Sequence, residues 1–218
     1  MARDLDLDRW PRRAAFEYFR AFDKPYFNVC TRLDVAPLKA ALADAGGGGL
    51  SLACYFIAIG LANELEPFRL RLDGGRVRVL DHVDGSTTVL RDDESFGFAY
   101  LDRDSDFLRF SARAAAAIAA ARRPGAAFEP RLDAQALIHF TTLPWVHFTS
   151  FSHARNWGRE DSVPKIAFGR ADIDGARLWL PMSVEVHHAL MDGLHVGRFV
   201  QRFEAAVAEP RAWLACRA

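Results

Sequence analysis

Residues 178–207 admit few folds. Leu178 to Val186 is dense in branched and aromatic residues, which favours a strand. Leu194 to Val207 places Val196, Phe199, Val200, Phe203 and Val207 on one helical face, with Arg198, Gln201 and Arg202 largely opposite. His187 and His188 stand where the strand ends, and Asp192-Gly193 supplies the turn before the helix. Such a junction can present a reactive side chain on a rigid support. A neutral imidazole accepts a proton near pH 7, so a general base is one reading. Metal binding by His187, His188 and Asp192 is weaker, because successive strand residues point to opposite faces. The third reading is structural, with one histidine packed and the other solvated.

Length and charge remove other classes. The chain has 218 residues, 50% of them hydrophobic and 17 of them Phe, enough for one well-packed domain spanning 1–218. Lys plus Arg and Asp plus Glu balance at 28 each, so neither a nucleic-acid partner nor a polybasic membrane surface is expected. Met1 to Arg13 is charged, and no apolar run approaches the roughly 20 residues of a membrane span. Cys30, Cys54 and Cys216 are odd in number and widely spaced, which fits a reduced cytoplasmic protein. Cys30 and Cys54 read as small core residues and Cys216 as part of a loose tail.

Taken in order, Asp6 to Arg20 reads as an entry segment and a helix with Pro11 near its first turn. Tyr26 to Val35 reads as a strand, Pro37 to Ala45 as a short helix ended by four glycines, and Leu50 to Leu65 as a buried apolar helix. Leu70 to Leu80 alternates on both sides of Asp73-Gly74-Gly75, a hairpin signal. Strands follow over Thr87 to Leu90 and Ser95 to Leu101, and an alanine-rich helix over Ser105 to Arg122. Ile166 to Phe168 and Leu178 to Val186 are strands around a turn at Asp172-Ile173-Asp174-Gly175.

Several stretches together resemble the chloramphenicol acetyltransferase family. His187-His188-Ala189-Leu190-Met191-Asp192-Gly193 is similar to its HHxxxDG signature, and Gly197-Arg198-Phe199 fits the continuation. Trp10-Pro11-Arg12 resembles its opening, and Thr141-Thr142-Leu143-Pro144-Trp145-Val146-His147-Phe148-Thr149-Ser150-Phe151 a second stretch with a hydroxyl residue three positions before Pro-Trp. Glu209 to Leu214 resembles its ending. Related motifs occur in dihydrolipoyl acyltransferases and peptide-synthetase condensation domains. The latter are longer and built of two halves; the former are expected to carry a lipoyl segment ahead of the fold.

The resemblance implies an α/β (α+β two-layer) fold, a mixed β-sheet with helices packed on one side, assembled as a homotrimer with active sites between subunits. It implies acetyl transfer from acetyl-CoA to a chloramphenicol hydroxyl without a metal. His188 would be the general base, Thr141 the oxyanion donor, and Asp192 an ion-pair partner of Arg12. Phe19, Phe27, Phe96, Phe98, Phe128, Phe151 and His153 would line the acceptor pocket; ordinary core is the alternative for each aromatic. Ala167 stands where the family often has threonine, and Phe151-Ser152-His153-Ala154 where it has Phe-Asn-Leu-Asn. No GxSxG elbow supports a serine hydrolase. Transfer to another alcohol, and a catalytically idle trimer of the same fold, remain as alternatives.

Overall fold

The computed structural model describes residues 2–44, 48–131, 134–155 and 160–215. In chain order these form β1 (Ala2–Asp4), α1 (Arg13–Phe19), β2 (Tyr26–Asp34), α2 (Ala36–Asp44) and α3 (Leu50–Glu64). A 3-10 turn (Glu66–Arg69) leads to β3 (Leu70–Asp73), β4 (Arg76–Leu80), β5 (Asp84–Leu90), β6 (Phe96–Leu101) and α4 (Phe107–Arg122). Then come β7 (Leu137–Thr142), β8 (Lys165–Phe168), β9 (Asp172–Asp174), β10 (Arg177–His187), α5 (Gly193–Ala208) and α6 (Arg211–Leu214).

The main sheet runs β2-β10-β8-β7-β5-β6, with β9 also on β10. It is mixed: β5–β7 and β7–β8 are parallel, and the other pairs are antiparallel. Strand alternation divides its two faces. Phe140, Ile166, Val184 and Val186 enter the core, and α3, α4 and α5 pack on that side. Helix α3 is apolar nearly all round because it lies between the sheet and other helices, as expected of a buried helix. A Cβ at Gly60 would lie 2.5 Å from the Trp213 ring, so the missing side chain lets α6 seat against α3.

The hairpin of β3 and β4 pairs Asp73 with Arg76 across Gly74 and Gly75 at φ 57° and 83°. Both central residues are left-handed, which suits the twist of the flanking strands. With β1 this hairpin forms a second, three-stranded sheet. Arg71 joins it to the main sheet: fully buried, it donates to the carbonyls of Phe68, Leu70, Gln135 and Leu137 at 2.7–2.9 Å. Burial lowers its pKa to about 9.

Two readings need correction. Asp172–Asp174 is a strand rather than part of a turn; it pairs with β10, and the turn follows at Gly175, φ 60°. Cys30 is only half-buried, its thiol 3.4 Å from Asn28 Oδ1, because it faces the side of the sheet away from the helices. Cys54 is a core residue whose thiol burial pushes up to about 12. Cys216 and Gly46-Gly47 lie outside the described residues. Among the described residues no helix is long and apolar enough to cross a membrane.

Candidate active site

Strand β10 ends by separating its two histidines. His187 is buried, edge-on to Tyr26 at 5.0 Å, and its Nδ1 accepts the Ala189 N–H at 3.2 Å. Burial lowers its pKa to about 4. His188 is half-buried and turned the other way. Its ring stacks on Phe19 at 3.7 Å, only 10° from parallel, and lies 4.7 Å from Phe27. Its backbone N–H donates to Pro25 O at 2.6 Å, tying the strand end to the segment before β2.

His188 Nδ1 lies 3.1 Å from Met191 O. A carbonyl can only accept, so Nδ1 carries the proton and Nε2 of the neutral ring holds the free lone pair. The turn that supplies this carbonyl is itself braced. Arg12 donates to Asp192 Oδ2 at 3.0 Å, Ala189 O at 3.1 Å and His188 O at 3.3 Å. Burial pushes the Asp192 carboxyl up, but the Arg12 hydrogen bond and the charges of His195 and Arg12 bring it below its ordinary value. Asp192 also begins α5, and its N–H donates to His195 Nδ1 at 3.1 Å. His195 is thus a hydrogen-bonding residue of the helix start.

The other candidate residues occupy the sheet face turned away from the helices. Phe140 contacts Tyr55 of α3, so Thr141 points to this opposite side. Thr141 is in register with Ala167, and Ala167 with Ser183. The next row on the same face reads Ser86, His139, Lys165, Glu185 and Asn28, a polar line across five strands. Ser86 Oγ lies 2.6 Å from His139 Nδ1, and burial lowers the His139 pKa to about 4. The segment after β7 crosses this face: Asn28 Nδ2 donates to Phe151 O at 2.7 Å, and His153 N–H donates to Glu185 Oε2 at 3.0 Å. Arg155 donates to Glu185 Oε1 at 2.7 Å and is within 3.2 Å of Asp161, while Lys165 is 3.0 Å from Asp161.

The predicted pocket therefore falls into two sets. Phe19 and Phe27 touch His188. Phe151 and His153 meet edge-on at 4.7 Å over β10, and Phe96, Phe98 and Phe128 contact one another at 5.2–5.7 Å beside the edge strand β6. Phe96 and Phe128 are 44% and 57% exposed, so this second cluster is no core. Thr141 lies on the same face of the sheet, on β7. His188 follows the last residue of β10, five positions from Ser183, and Thr141 is two strands across, so the two are roughly 19 Å apart within the chain. That is far too great for both to act on one carbonyl.

Reading residues alone missed Arg71, Arg155, Asp161 and Lys165. Glu185, a lone acid within Met182-Ser183-Val184-Glu185-Val186, was the available signal for a buried ion pair. Among the described residues, no three His, Cys, Asp or Glu side chains gather in metal-ligating positions.

Known proteins resemble this chain over most of its length. A profile of the chloramphenicol acetyltransferase family matches residues 2–204. A chloramphenicol acetyltransferase of Streptomyces acrimycini is 31% identical over 212 residues, 96% of each chain. Chloramphenicol acetyltransferase 3 of Escherichia coli is 29% identical over 202 residues, 92% of this chain and 94% of the relative. A solved chloramphenicol acetyltransferase superposes with a TM-score of 0.87 at 24% identity, covering 95% of this chain and 100% of the other. The dihydrolipoamide acetyltransferase of Azotobacter vinelandii superposes less closely, with a TM-score of 0.69 at 20% identity over 92% and 88% of the two chains. The match over nearly its full length places this chain in the chloramphenicol acetyltransferase family.

Proposed function

We propose that this chain is one acyltransferase domain that moves an acetyl group from acetyl-CoA to a hydroxyl of chloramphenicol in the cytoplasm, inactivating the antibiotic. The observation that carries the reading is the His188 tautomer: Nδ1–H is committed to Met191 O, which leaves Nε2 as the base. Nε2 takes the acceptor hydroxyl proton as the oxygen attacks the thioester carbonyl. Collapse of the tetrahedral species breaks the C–S bond, and the proton passes from Nε2 to the departing thiolate. The products are the acetyl ester, CoA thiol and neutral His188. Phe19 holds the ring from one face, and Arg12 with Asp192 holds the turn that positions it. No step of this transfer needs a metal.

The oxyanion donor is Thr141 of a second copy. A homotrimer with its sites between subunits would bring His188, Phe19 and Phe27 of one chain against Thr141 and the exposed aromatic cluster of another. The roughly 19 Å separation within a chain and the solvent exposure of Phe96 and Phe128 both support this arrangement.

The test is thiol release from acetyl-CoA with chloramphenicol present, compared between wild type and His188→Ala. Release that requires both chloramphenicol and His188 is expected. No release from wild type would overturn the antibiotic as acceptor and turn the search to other alcohols. Equal release by the variant would overturn the base.

A further inference from the structure

The His153 side chain is only 10% exposed, yet both of its ring nitrogens are buried without a hydrogen-bond partner. Its nearest candidate, Glu185 Oε2, is 3.9 Å from Nδ1, too far for a hydrogen bond. Glu185 is already engaged, Oε1 by the Arg155 Nε–H and Oε2 by the His153 backbone N–H. Leaving a buried polar group unpaired is costly, and such groups almost always find a partner. Arg155 repeats the pattern beside it: its side chain is 2% exposed, and Nη2 is also buried and unpaired.

The ring is placed rather than loose. Phe151 packs edge-on against it, and the segment is pinned to the sheet at Asn28 and Glu185. Its anchor Glu185 lies on the Thr141 face, two residues along β10 from Ser183, whose row reaches Thr141 two strands away. That spacing is roughly 12 Å, the length of a drug-sized alcohol. An acceptor whose reacting hydroxyl lies at Thr141 would bring its far end to His153.

We propose that His153 is a specificity-determining residue: it hydrogen-bonds the far end of the acceptor, so this site selects alcohols carrying a second polar group there. The inference rests on the transferase reading for the identity of the pocket. Chloramphenicol, with polar groups at several positions, is the probe. His153→Leu should raise the chloramphenicol KM about three- to tenfold, the effect of one lost hydrogen bond, with the change lying mainly in KM rather than kcat. Calorimetric Kd should weaken in parallel. His153→Gln, which keeps a donor and an acceptor, should recover part of both. The thermal midpoint of the Leu variant should be equal or higher, since it removes polar atoms that are unpaired in the free protein.

KM and Kd that ignore the Leu substitution, while turnover still depends on His188, would overturn the contact and leave the transferase reading standing. Binding weakened by Leu and recovered by Gln, in a wild type without turnover, would support the contact and discard chloramphenicol as the acetylated substrate. A lowered midpoint with no rescue by Gln would show a structural role and overturn the proposal. No binding of chloramphenicol by wild type would overturn both readings.

Discussion

The His188 corner and the Thr141 face are built by different means. The corner is local: a strand end, a short turn and a helix start lie within Ser183 to Val196, and only Arg12 comes from elsewhere. The Thr141 face is assembled from five strands and a crossing segment, with each polar side chain supplied by a different part of the chain. The corner fixes a proton, through one tautomer. The face offers hydroxyls, buried charges and two unpaired imidazole nitrogens. On the proposed reading the corner supplies the base and the face the acceptor surface, and one chain holds them on opposite sides of its sheet.

Cutting either side should reveal how they are joined. His188→Ala should lower kcat by about 10²–10⁴, the usual contribution of a positioned base, with a smaller effect on substrate KM. If the Thr141 hydroxyl is the proposed oxyanion donor, Thr141→Val should lower kcat by about 10²–10³ and Thr141→Ser by much less. Mixing the two inactive variants through unfolding and refolding sharpens the comparison. If sites form between copies, mixed assemblies contain some sites with both an intact His188 and an intact Thr141, and part of the activity should return. A mixture as inactive as its components would place both residues in one chain's site, against the roughly 19 Å between them.

The corner was also the more legible part of the sequence. Helical periodicity after Asp192-Gly193 marked α5 within a residue, and Gly74-Gly75 marked the hairpin because few residues adopt its φ values. The apolar run of α3 could only be buried. β1 and β9 were not legible, because three-residue strands carry no pattern of their own and exist through pairing with β4 and β10. Arg71 was hidden for a similar reason: its four carbonyl acceptors come partly from residues over 60 positions away. Glu185 was visible as an oddity, but Arg155 belongs to a segment without regular structure, and no spacing rule pairs them. Local propensity reads a corner; a surface collected from distant strands needs tertiary contacts.

Acid should weaken both regions over one range and the sheet face over a second. His139 on the sheet face and His187 at the strand end both have pKa values lowered to about 4 from an ordinary 6.5, chiefly by burial. The unfolded chain therefore binds more protons than the folded one below about pH 6.5. Stability should be flat above that point and decline as the pH falls towards about 4. Burial pushes Glu185 up, but the His153 backbone N–H and Arg155 hold it at about 2, so its loss is added only below its ordinary 4.5. Denaturant midpoints at half-unit pH intervals would separate these ranges. His139→Asn should flatten the slope between 6.5 and 4.5, and an unchanged slope would show that His139 is not among its sources.

The smallest effect concerns Phe19. Its ring lies parallel to His188 at 3.7 Å, so it limits the tilt of the imidazole but touches no hydrogen bond. Phe19→Leu keeps an apolar cover and loses the flat contact, worth about 0.5–1.5 kcal/mol for an aromatic pair. If stacking serves to hold the base in line, kcat should fall about two- to tenfold, and the pH at which activity is half-maximal should stay put because the Nδ1–H to Met191 bond survives. A shift in that pH with kcat preserved would mean that Phe19 acts on the proton affinity of the ring rather than on its orientation.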